Sequence, residues 1–160
     1  MRIEPAAASD RAALWAILEP TLRAGETYAL PRDLEEADAL AYWLGADRET
    51  FVARDGEGLV GTYYLRANQA GPGAHVANCG FMTAARASGR GVARAMCAHA
   101  LAQARAHGFR AMQFNCVVST NTRAVRLWTA LGFAIVGTLP GAFAHPAEGD
   151  VDAFVMFQRL

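Results

Sequence analysis

The sequence contains no lysine, and all fifteen of its basic residues are arginines. A Walker A phosphate loop requires a lysine followed by serine or threonine, so a nucleotide-binding protein of that class is excluded. The fifteen arginines are matched by fifteen acidic residues, which gives a formal net charge of zero. Because a nucleic-acid-binding protein normally carries a basic excess, we expect no nucleic-acid partner.

Cysteines are also few, and long apolar runs are missing. The cysteines Cys79, Cys97 and Cys116 show neither the spacing of a metal site nor that of a disulfide framework. We expect no metal, and we interpret all of them as buried free thiols on strands or on the apolar side of a helix. No apolar stretch reaches the ~18 residues of a membrane span, and the N-terminus lacks a signal-peptide core. These absences predict a cytoplasmic protein without a membrane partner.

What remains is a chain of globular composition, with 53% hydrophobic and 19% charged residues among 160. This length predicts a single domain over residues 1–160. Apolar periodicity and turn residues predict a mixed α/β fold with the order β-α-α-β-β-β-α-β-α-β-β. We expect a mostly antiparallel sheet with a central, right-handed β-α-β crossover. The expected strands are 2–4, 51–54, 59–66, 75–82, 111–118, 133–139 and 151–158, and the expected helices are about 10–23, 34–44, 93–107 and 122–131.

Several of these boundaries depend on particular residues. Ser119 or Thr120 is predicted to cap the last helix. The segment between the last two strands contains two prolines and two glycines and is predicted to be a loop. The strand 111–118 is nearly continuously apolar, which predicts burial on both faces. Asp33 is predicted to cap the second helix, whose apolar side would consist of Leu34, Ala37, Leu40, Ala41 and Leu44.

The most informative stretch runs from residue 83 to residue 107. The sequence R-A-S-G-R-G occupies residues 86–91, between a predicted strand and an amphipathic helix. The first backbone N–H groups of a helix are unpaired and lie at the positive end of its dipole, so this junction predicts an anion site. Gly89 and Gly91 allow positive φ angles and close approach of a ligand to the backbone. Arg86 and Arg90 add charge that suits phosphate.

A second motif follows one helix and one strand later, where residues 121–133 read N-T-R-A-V-R-L-W-T-A-L-G-F. The R-x-x-G-x-G sequence at 86–91 resembles the acetyl-CoA pyrophosphate loop of the GNAT superfamily of N-acetyltransferases. Residues 121–133 resemble the other signature of that superfamily, N-x-x-A-x-x-L-Y-x-x-x-G-F. The predicted element order is also similar to the GNAT order along essentially the whole chain. The protein is therefore identified as a member of this superfamily.

The resemblance implies acetyl-CoA as the cofactor and the amine of a small molecule as the acceptor. It implies that backbone N–H groups of residues 87–92 bind the pyrophosphate. Backbone groups around Phe81 and Thr83 would pair with the pantetheine arm, and the amine would attack the thioester directly in a ternary complex. The residues expected to contact the cofactor are Phe81, Met82, Thr83, Arg86, Ala87, Ser88, Gly89, Arg90, Gly91, Val92, Ala93, Asn121, Ala124 and Trp128.

One position departs from the family signature. Trp128 stands where the family usually has a tyrosine that can protonate the departing thiolate. An indole N–H can donate a hydrogen bond but is not a practical acid. Either Tyr28 or Cys116 serves instead, or the thiolate leaves unassisted, since its pKa is near the ~8.5 of free cysteine. The substitution also leaves open an alternative function, a CoA-binding module without catalytic activity.

No motif marks the general base. Many GNAT enzymes use a glutamate, and Glu26, between the first two helices, is the nearest counterpart; His75 is the alternative. Asn78 and Asn115 each interrupt an apolar strand, and a buried amide needs hydrogen-bond partners. Each therefore either bridges an irregularity in the sheet or faces the substrate cleft, which in the GNAT fold opens between these two strands.

A looser resemblance concerns the acceptor. The segments V-A-N-C-G-F at 76–81, F-N-C-V-V-S-T-N at 114–121 and V-D-A-F-V-M at 151–156 are similar to one GNAT branch. That branch includes the proline-analogue (azetidine-2-carboxylate) N-acetyltransferases, in which asparagines matching Asn78, Asn115 and Asn121 serve the substrate or the active site. The resemblance implies an amino or imino acid as acceptor, with Asn78, Asn115 and Glu26 as catalytic candidates. The acceptor's identity and the oligomeric state stay open, with a homodimer as one option.

Overall fold

A seven-stranded sheet runs through the whole molecule, and the computed structural model describes all residues from 1 to 160. Its strands are β1 Arg2–Pro5, β2 Glu49–Asp55, β3 Gly58–Ala67, β4 Val76–Thr83, β5 Ala111–Val118, β6 Ala134–His145 and β7 Gly149–Arg159. The helices are α1 Arg11–Ala24, α2 Glu36–Trp43, α3 Val92–Ala106 and α4 Thr122–Ala130. Short 3-10 turns cover Ala8–Asp10, Gly71–Gly73 and Ala85–Ala87.

The strands lie in the order β1-β2-β3-β4-β5-β7-β6. Every neighbouring pair is antiparallel except β4 and β5, which are parallel and are joined by α3. The predicted mixed α/β fold, its element order and its central crossover are therefore confirmed.

The parallel pair is also the weakest contact in the sheet. Pairing between β4 and β5 is limited to Val76 with Ala111 and Ala77 with Met112, after which the strands diverge. Further along, β5 pairs only with β7, with an irregularity between Phe114 and Val117. The edge of β4 that faces β5 is thus unpaired toward the C-terminal end of β4, which leads to α3.

Both faces of the sheet are covered by helices. The larger core lies under α3 and α4, while the smaller one lies under α1 and α2. Alternate residues of β3 point to opposite faces of the sheet, so Tyr63 packs in the larger core and Tyr64 in the smaller one. The apolar stripe predicted for α3 is buried as expected, at Met96, Cys97, Ala100, Leu101 and Ala104.

Two helix starts differ from the prediction. Helix α2 begins at Glu36, so Asp33 does not cap it, and its buried residues are Ala39, Leu40 and Trp43. The bulky Trp43 sets this orientation because its indole N–H donates to the buried Thr62 hydroxyl at 2.9 Å. Helix α4 is capped by Asn121, whose side-chain oxygen accepts from the Ala124 N–H, and not by Ser119 or Thr120.

The predicted loop between the last two strands is instead mostly strand. Strand β6 continues to His145, with an irregularity between Leu139 and Phe143 that includes Pro140. Proline is tolerated here because β6 is an edge strand and one side of its backbone needs no ladder partner. The prediction of an eleven-residue irregular connection at 140–150 was therefore wrong.

Strand β5 was predicted to be buried on both faces, and this is wrong for its middle. Asn115 and Cys116 are exposed, since the strand has already separated from β4 at this point. Cys116 is consequently an exposed thiol, whereas Cys79 and Cys97 are buried as expected.

Replacing Thr62 with valine should destabilise the protein while preserving its shape. The Thr62 hydroxyl accepts from Trp43 and donates to the Phe51 carbonyl at 2.8 Å, so Thr62→Val leaves a buried indole N–H unpaired. Such a loss costs about 1–3 kcal/mol, which corresponds to a fall in Tm of roughly 3 to 10 °C. Thr138→Val, the same change at an exposed position of β6, is the control and should leave Tm within about 1 °C in a calorimetric scan. Equal Tm values for the two variants would contradict this account of how α2 is held.

Candidate functional site

A cleft of about 950 Å³ opens where β4 and β5 diverge. One wall comes from the segment between α1 and α2, including Glu26 and Tyr28. The floor is formed by β4 and β5, and the other wall by α4 and the loop before α3. Twelve of the fourteen residues predicted to contact the cofactor line it: Phe81, Met82, Thr83, Ala87, Ser88, Gly89, Gly91, Val92, Ala93, Asn121, Ala124 and Trp128.

The glycine loop brings backbone N–H groups to one end of this cleft. Gly89 and Gly91 have φ angles of +81° and +79°, which only glycine adopts without strain. Gly91 is the N-cap of α3, and the helix ladder begins with the Ala95 N–H on the Gly91 carbonyl. The N–H groups of residues 92–94 therefore have no partner within the helix and lie at the positive end of its dipole. A Cβ placed on Gly91 would meet no atom within 4 Å, so the backbone here is open to a ligand.

The arginines of the loop do not face the cleft. Arg86 binds Glu57 at 3.0 Å and Arg90 binds Asp55 at 3.1 Å, and neither side chain lines the cleft. The prediction that their charges serve a bound phosphate thus has no support from their placement. Both side chains instead tie the loop to the hairpin between β2 and β3.

Positive charge reaches this end of the cleft from the helices. Arg123 of α4 donates to the Ser88 hydroxyl at 2.6 Å, and Arg94 and Arg126 also line the cleft. None of these three guanidinium groups forms a salt bridge with a carboxylate. Sequence reasoning missed them, although Arg123 and Arg126 lie inside the second motif and one helical turn apart.

The backbone of β4 faces the cleft at alternate residues. The Val76 carbonyl and the Ala84 N–H are bonded to the β3 side, so the peptide groups of Cys79, Phe81 and Thr83 face the opening toward β5. One of these groups is occupied within the protein, because the Tyr28 hydroxyl donates to the Phe81 carbonyl at 2.9 Å. Burial raises the pKa of Tyr28 well above its ordinary value, so this phenol stays protonated.

Trp128 belongs to an aromatic wall of the cleft. Its ring centroid lies 5.2 Å from that of Phe81 and 5.2 Å from that of Phe114, and the side chain is 8% exposed. The indole is thus packed into the larger core while its edge reaches the cleft. Asn121, at the start of the same motif, uses its side-chain oxygen to cap α4.

The two strand asparagines are placed differently. Asn78 is buried and bridges the point of divergence, since its amide N–H donates to the Gln113 carbonyl of β5 at 3.0 Å. Asn115 is exposed, accepts from Gln113 at 2.8 Å and donates to Asn68 at 2.7 Å. Both residues line the cleft, so both remain candidates for contact with a substrate.

The structure distinguishes between the two candidates for the general base. Glu26 is exposed on its loop and is the only carboxylate that lines the cleft. His75 is exposed, lies within 2.9 Å of the Pro72 carbonyl and does not line the cleft. The alternative assignment of the base to His75 therefore has no geometric support.

The far end of the cleft holds polar side chains that sequence reasoning missed. Tyr42, Tyr64 and Arg66 line it, and Arg66 lies beside Asn78 with its Nε 3.5 Å from the amide oxygen. Their sequence positions carry no motif; only the pairing of β3 with β4 and the packing of α2 bring them together. No group of three His, Cys, Asp or Glu side chains could hold a metal ion. None of the helices is long and apolar enough to cross a membrane.

Comparison with known proteins identifies this architecture. The solved structure of a GCN5-related N-acetyltransferase from Kribbella flavida is 44% identical, with a TM-score of 0.94 over 99% of this chain and 97% of that chain. The structure of yncA from Salmonella typhimurium, determined with its cofactor acetyl-CoA, is 19% identical and has a TM-score of 0.88. That superposition covers 100% of this chain and 94% of that chain, and it shows a shared fold.

Sequence comparison gives the same result. The N-acetyltransferase aca1 from Schizosaccharomyces pombe is 33% identical over 98 residues, which are 61% of this chain and 47% of that protein. The match therefore spans about half the length of this curated relative. The sequence model of the acetyltransferase (GNAT) family matches residues 12–133, which include both motifs. The family predicted from those motifs is confirmed, and the chain belongs to the GNAT family of acetyltransferases.

Proposed function

We propose that this protein transfers an acetyl group from acetyl-CoA to the amine of a small molecule, by direct attack in a ternary complex. The observation that carries the proposal is the continuity of one cleft. A glycine loop at a helix N-terminus lies at one end, unpaired backbone of β4 lies in the middle, and a polar pocket lies at the other end. Because the floor of the cleft belongs to a single seven-stranded sheet that includes strands from both ends of the chain, we also infer that residues 1–160 act as one domain.

The residues at the loop end fit the pyrophosphate of coenzyme A. Of the backbone N–H groups expected at residues 87–92, those of Ala87, Ser88 and Arg90 donate to carbonyls within the loop, which leaves those of Gly89, Gly91 and Val92 as candidates to bind it. The dipole of α3 adds positive potential there. Arg123 is the side chain best placed to add charge, since its Nη2 lies 3.8 Å from where a Cβ on Gly89 would be. The peptide groups of Cys79, Phe81 and Thr83 can pair with the amides of the pantetheine arm as a neighbouring strand would.

The cofactor supplies an activated acetyl thioester, and the protein has to present a neutral amine to it. An aliphatic amine with a pKa of ~10 is almost wholly protonated at pH 7, and presenting it neutral costs about 4 kcal/mol. Glu26 is the candidate base, as it is the only carboxylate that lines the cleft. Peptide N–H groups of β4 that face the opening are candidates to polarise the thioester carbonyl.

Direct attack is supported by the state of the cleft thiols. Cys79 and Cys116 both line the cleft. Burial raises the pKa of the Cys79 thiol, and partial loss of solvent around its sulfur raises that of the otherwise exposed Cys116. Neither thiol has a hydrogen-bonded base, so neither resembles an activated nucleophile of a covalent mechanism.

The leaving thiolate has no obvious acid. Trp128 has no acidic proton, and the raised pKa of Tyr28 is poorly matched to a CoA thiol with a pKa near ~8.5. We infer that the thiolate leaves without proton transfer from a side chain. Since Trp128 replaces the usual tyrosine, a CoA-binding module without activity is the second candidate function. Turnover of isotope-labelled acetyl-CoA against a panel of amines separates the two candidates.

Coenzyme A should stabilise the protein, and the effect should depend on Gly91. At about 100 times Kd, a ligand that binds only the folded state adds ~2.7 kcal/mol, or a rise in Tm of roughly 5 to 10 °C. Gly91→Val should abolish this rise, because the valine side chain would occupy the space next to the helix N-terminus. Arg123→Ala should weaken binding by about tenfold through loss of a charged contact.

The matched control for Gly91→Val is Gly149→Val. Gly149 has a φ angle of +74° and the same open surroundings, but it lies in the hairpin between β6 and β7. Both variants therefore carry a similar backbone strain, and only the first should lose the ligand-induced shift. A normal shift in Gly91→Val would show that the loop does not bind the pyrophosphate.

The candidates for the acid can be tested by Tyr28→Phe and Trp128→Phe. Each variant keeps an aromatic ring in place and removes the polar hydrogen, so each should retain kcat within about tenfold if no side chain protonates the thiolate. Affinity for acetyl-CoA, measured by calorimetry, should be unchanged. A fall in kcat of more than ~100-fold in one variant, with normal affinity, would identify that residue as the acid or as a group in the transition state.

Alanine variants of the two asparagines should behave differently. Asn78→Ala removes the amide bridge to Gln113, so it should lower Tm by roughly 3 to 10 °C as well as lower kcat/KM. Asn115→Ala removes an exposed amide, so Tm should fall by less than about 2 °C while kcat/KM falls roughly 10-fold or more. If Asn115→Ala turned over the acceptor at the wild-type rate, Asn115 would no longer be a candidate for contact with the substrate.

A further inference from the structure

Two arginines share one carboxylate and lie against two tyrosine rings, beside the end of the cleft that holds Arg66 and Asn78. We call Tyr42, Asp47, Arg48, Tyr64 and Arg66 the arginine–tyrosine cluster. The guanidinium of Arg48 lies 4.7 Å from the centroid of each tyrosine ring. That of Arg66 lies 5.9 Å from the Tyr64 ring. Such stacking holds both cations against aromatic faces, with little freedom to reorient.

The cluster carries one more positive charge than negative charge. Asp47 binds Arg48 through two contacts of 2.7 and 3.0 Å and also binds Arg66 at 3.2 Å. The hydrogen bonds from Arg48, joined by those from Arg66, lower the pKa of Asp47 to about 2, so this carboxylate is ionised throughout the working range of pH. No other carboxylate pairs with either arginine. Two guanidinium groups therefore share one carboxylate, and one positive charge stays uncompensated.

The excess charge is partly withdrawn from water, which strengthens its pull on an anion. The Arg48 side chain is only 6% exposed, and its Nη1 is buried without a hydrogen-bond partner. Arg48 does not itself line the cleft, so a ligand cannot reach it directly. Its charge instead adds to the potential around Arg66.

Arg66 is the member of the cluster that can touch a ligand. It lines the cleft, and its side chain is 28% exposed. Its Nη1 binds Asp47 and its Nε lies near the Asn78 amide oxygen, whereas its Nη2 has no partner in the protein. The protein thus contacts the guanidinium at Nη1 and Nε, and the N–H groups of Nη2 are free. A planar donor of this kind suits a carboxylate, whose single negative charge also matches the excess charge of the cluster.

We propose that Arg66 binds the carboxylate of the acceptor and thereby determines which acceptors are used. This inference rests on the proposed function. The acceptor is then an amino acid with a free carboxylate. Glu26, the only carboxylate in the cleft, is available for its ammonium group.

The test compares the common amino acids with their primary amides as acceptors. The ratio of kcat/KM for each acid to that of its amide is measured for the wild type, Arg66→Gln and Arg66→Lys. Comparing this ratio between variants cancels the difference in amine basicity between acid and amide. Loss of a hydrogen bond to a charged group should lower kcat/KM for the acids by roughly 10- to 150-fold in Arg66→Gln. The amides should change by less than about threefold, and Arg66→Lys should keep an intermediate preference because it retains the charge without the planar fork.

Arg105→Gln, an exposed arginine of α3 outside the cleft, is the matched control and should keep the wild-type ratio. The rise in Tm with acetyl-CoA should be the same in all variants, which shows that the protein is folded and the cofactor end intact. Equal losses for acids and amides in Arg66→Gln would overturn the assignment, as would a wild-type enzyme that acetylates only amines without a carboxylate. In either case acetyl transfer itself would stand. Absence of any transfer from acetyl-CoA would instead reject the proposed function.

Discussion

Backbone pairing between β4 and β5 stops after two residue pairs, and the site depends on this interruption. Beyond Ala77, the peptide groups of β4 that face β5 lose their ladder partners, while the alternate groups stay paired with β3. Unpaired peptide groups are costly unless something else bonds to them. The protein satisfies part of this need with side chains, through Asn78 to the Gln113 carbonyl and Tyr28 to the Phe81 carbonyl. The remaining groups along β4 are open to a ligand that can act as a strand. The same gap thus creates both the binding surface and the need for the two side chains that flank it.

The distribution of arginine follows from how each position is surrounded. In a chain without lysine, every permanently charged basic side chain is a guanidinium group. Those next to carboxylates become structural: Arg86 and Arg90 hold the glycine loop to the β2–β3 hairpin through Asp55 and Glu57. Those without a carboxylate, such as Arg123, keep their charge available to the cleft. The positive potential at this end of the cleft therefore arises from arginines of α3 and α4 and from backbone N–H groups, although the loop motif contains two arginines.

Local sequence signals predicted the parts of the site that are local in structure. The glycine loop is one example, because Gly89, Gly91 and the start of α3 are neighbours in the chain. The arginine–tyrosine cluster could not be found in this way, since it forms only when β3 pairs with β4 and α2 packs above them. The cap of α4 was missed because Ser119, Thr120 and Asn121 are all good caps, and the turn after β5 decides among them. The length of β6 was missed because proline, which has no N–H, ends a strand only where a ladder partner needs that donor, and Pro140 lies on an edge strand.

Trp128 changes what the cleft can contribute to catalysis. With Phe81 and Phe114 it forms an apolar wall where the family signature usually places a phenol, so this wall supplies no proton. A thiolate with a pKa near ~8.5 is a tolerable leaving group at neutral pH, whereas a protonated amine is no nucleophile at all. The step that most needs help is therefore deprotonation and orientation of the acceptor. Glu26 and Arg66 both line the cleft, and they are the side chains proposed to give this help.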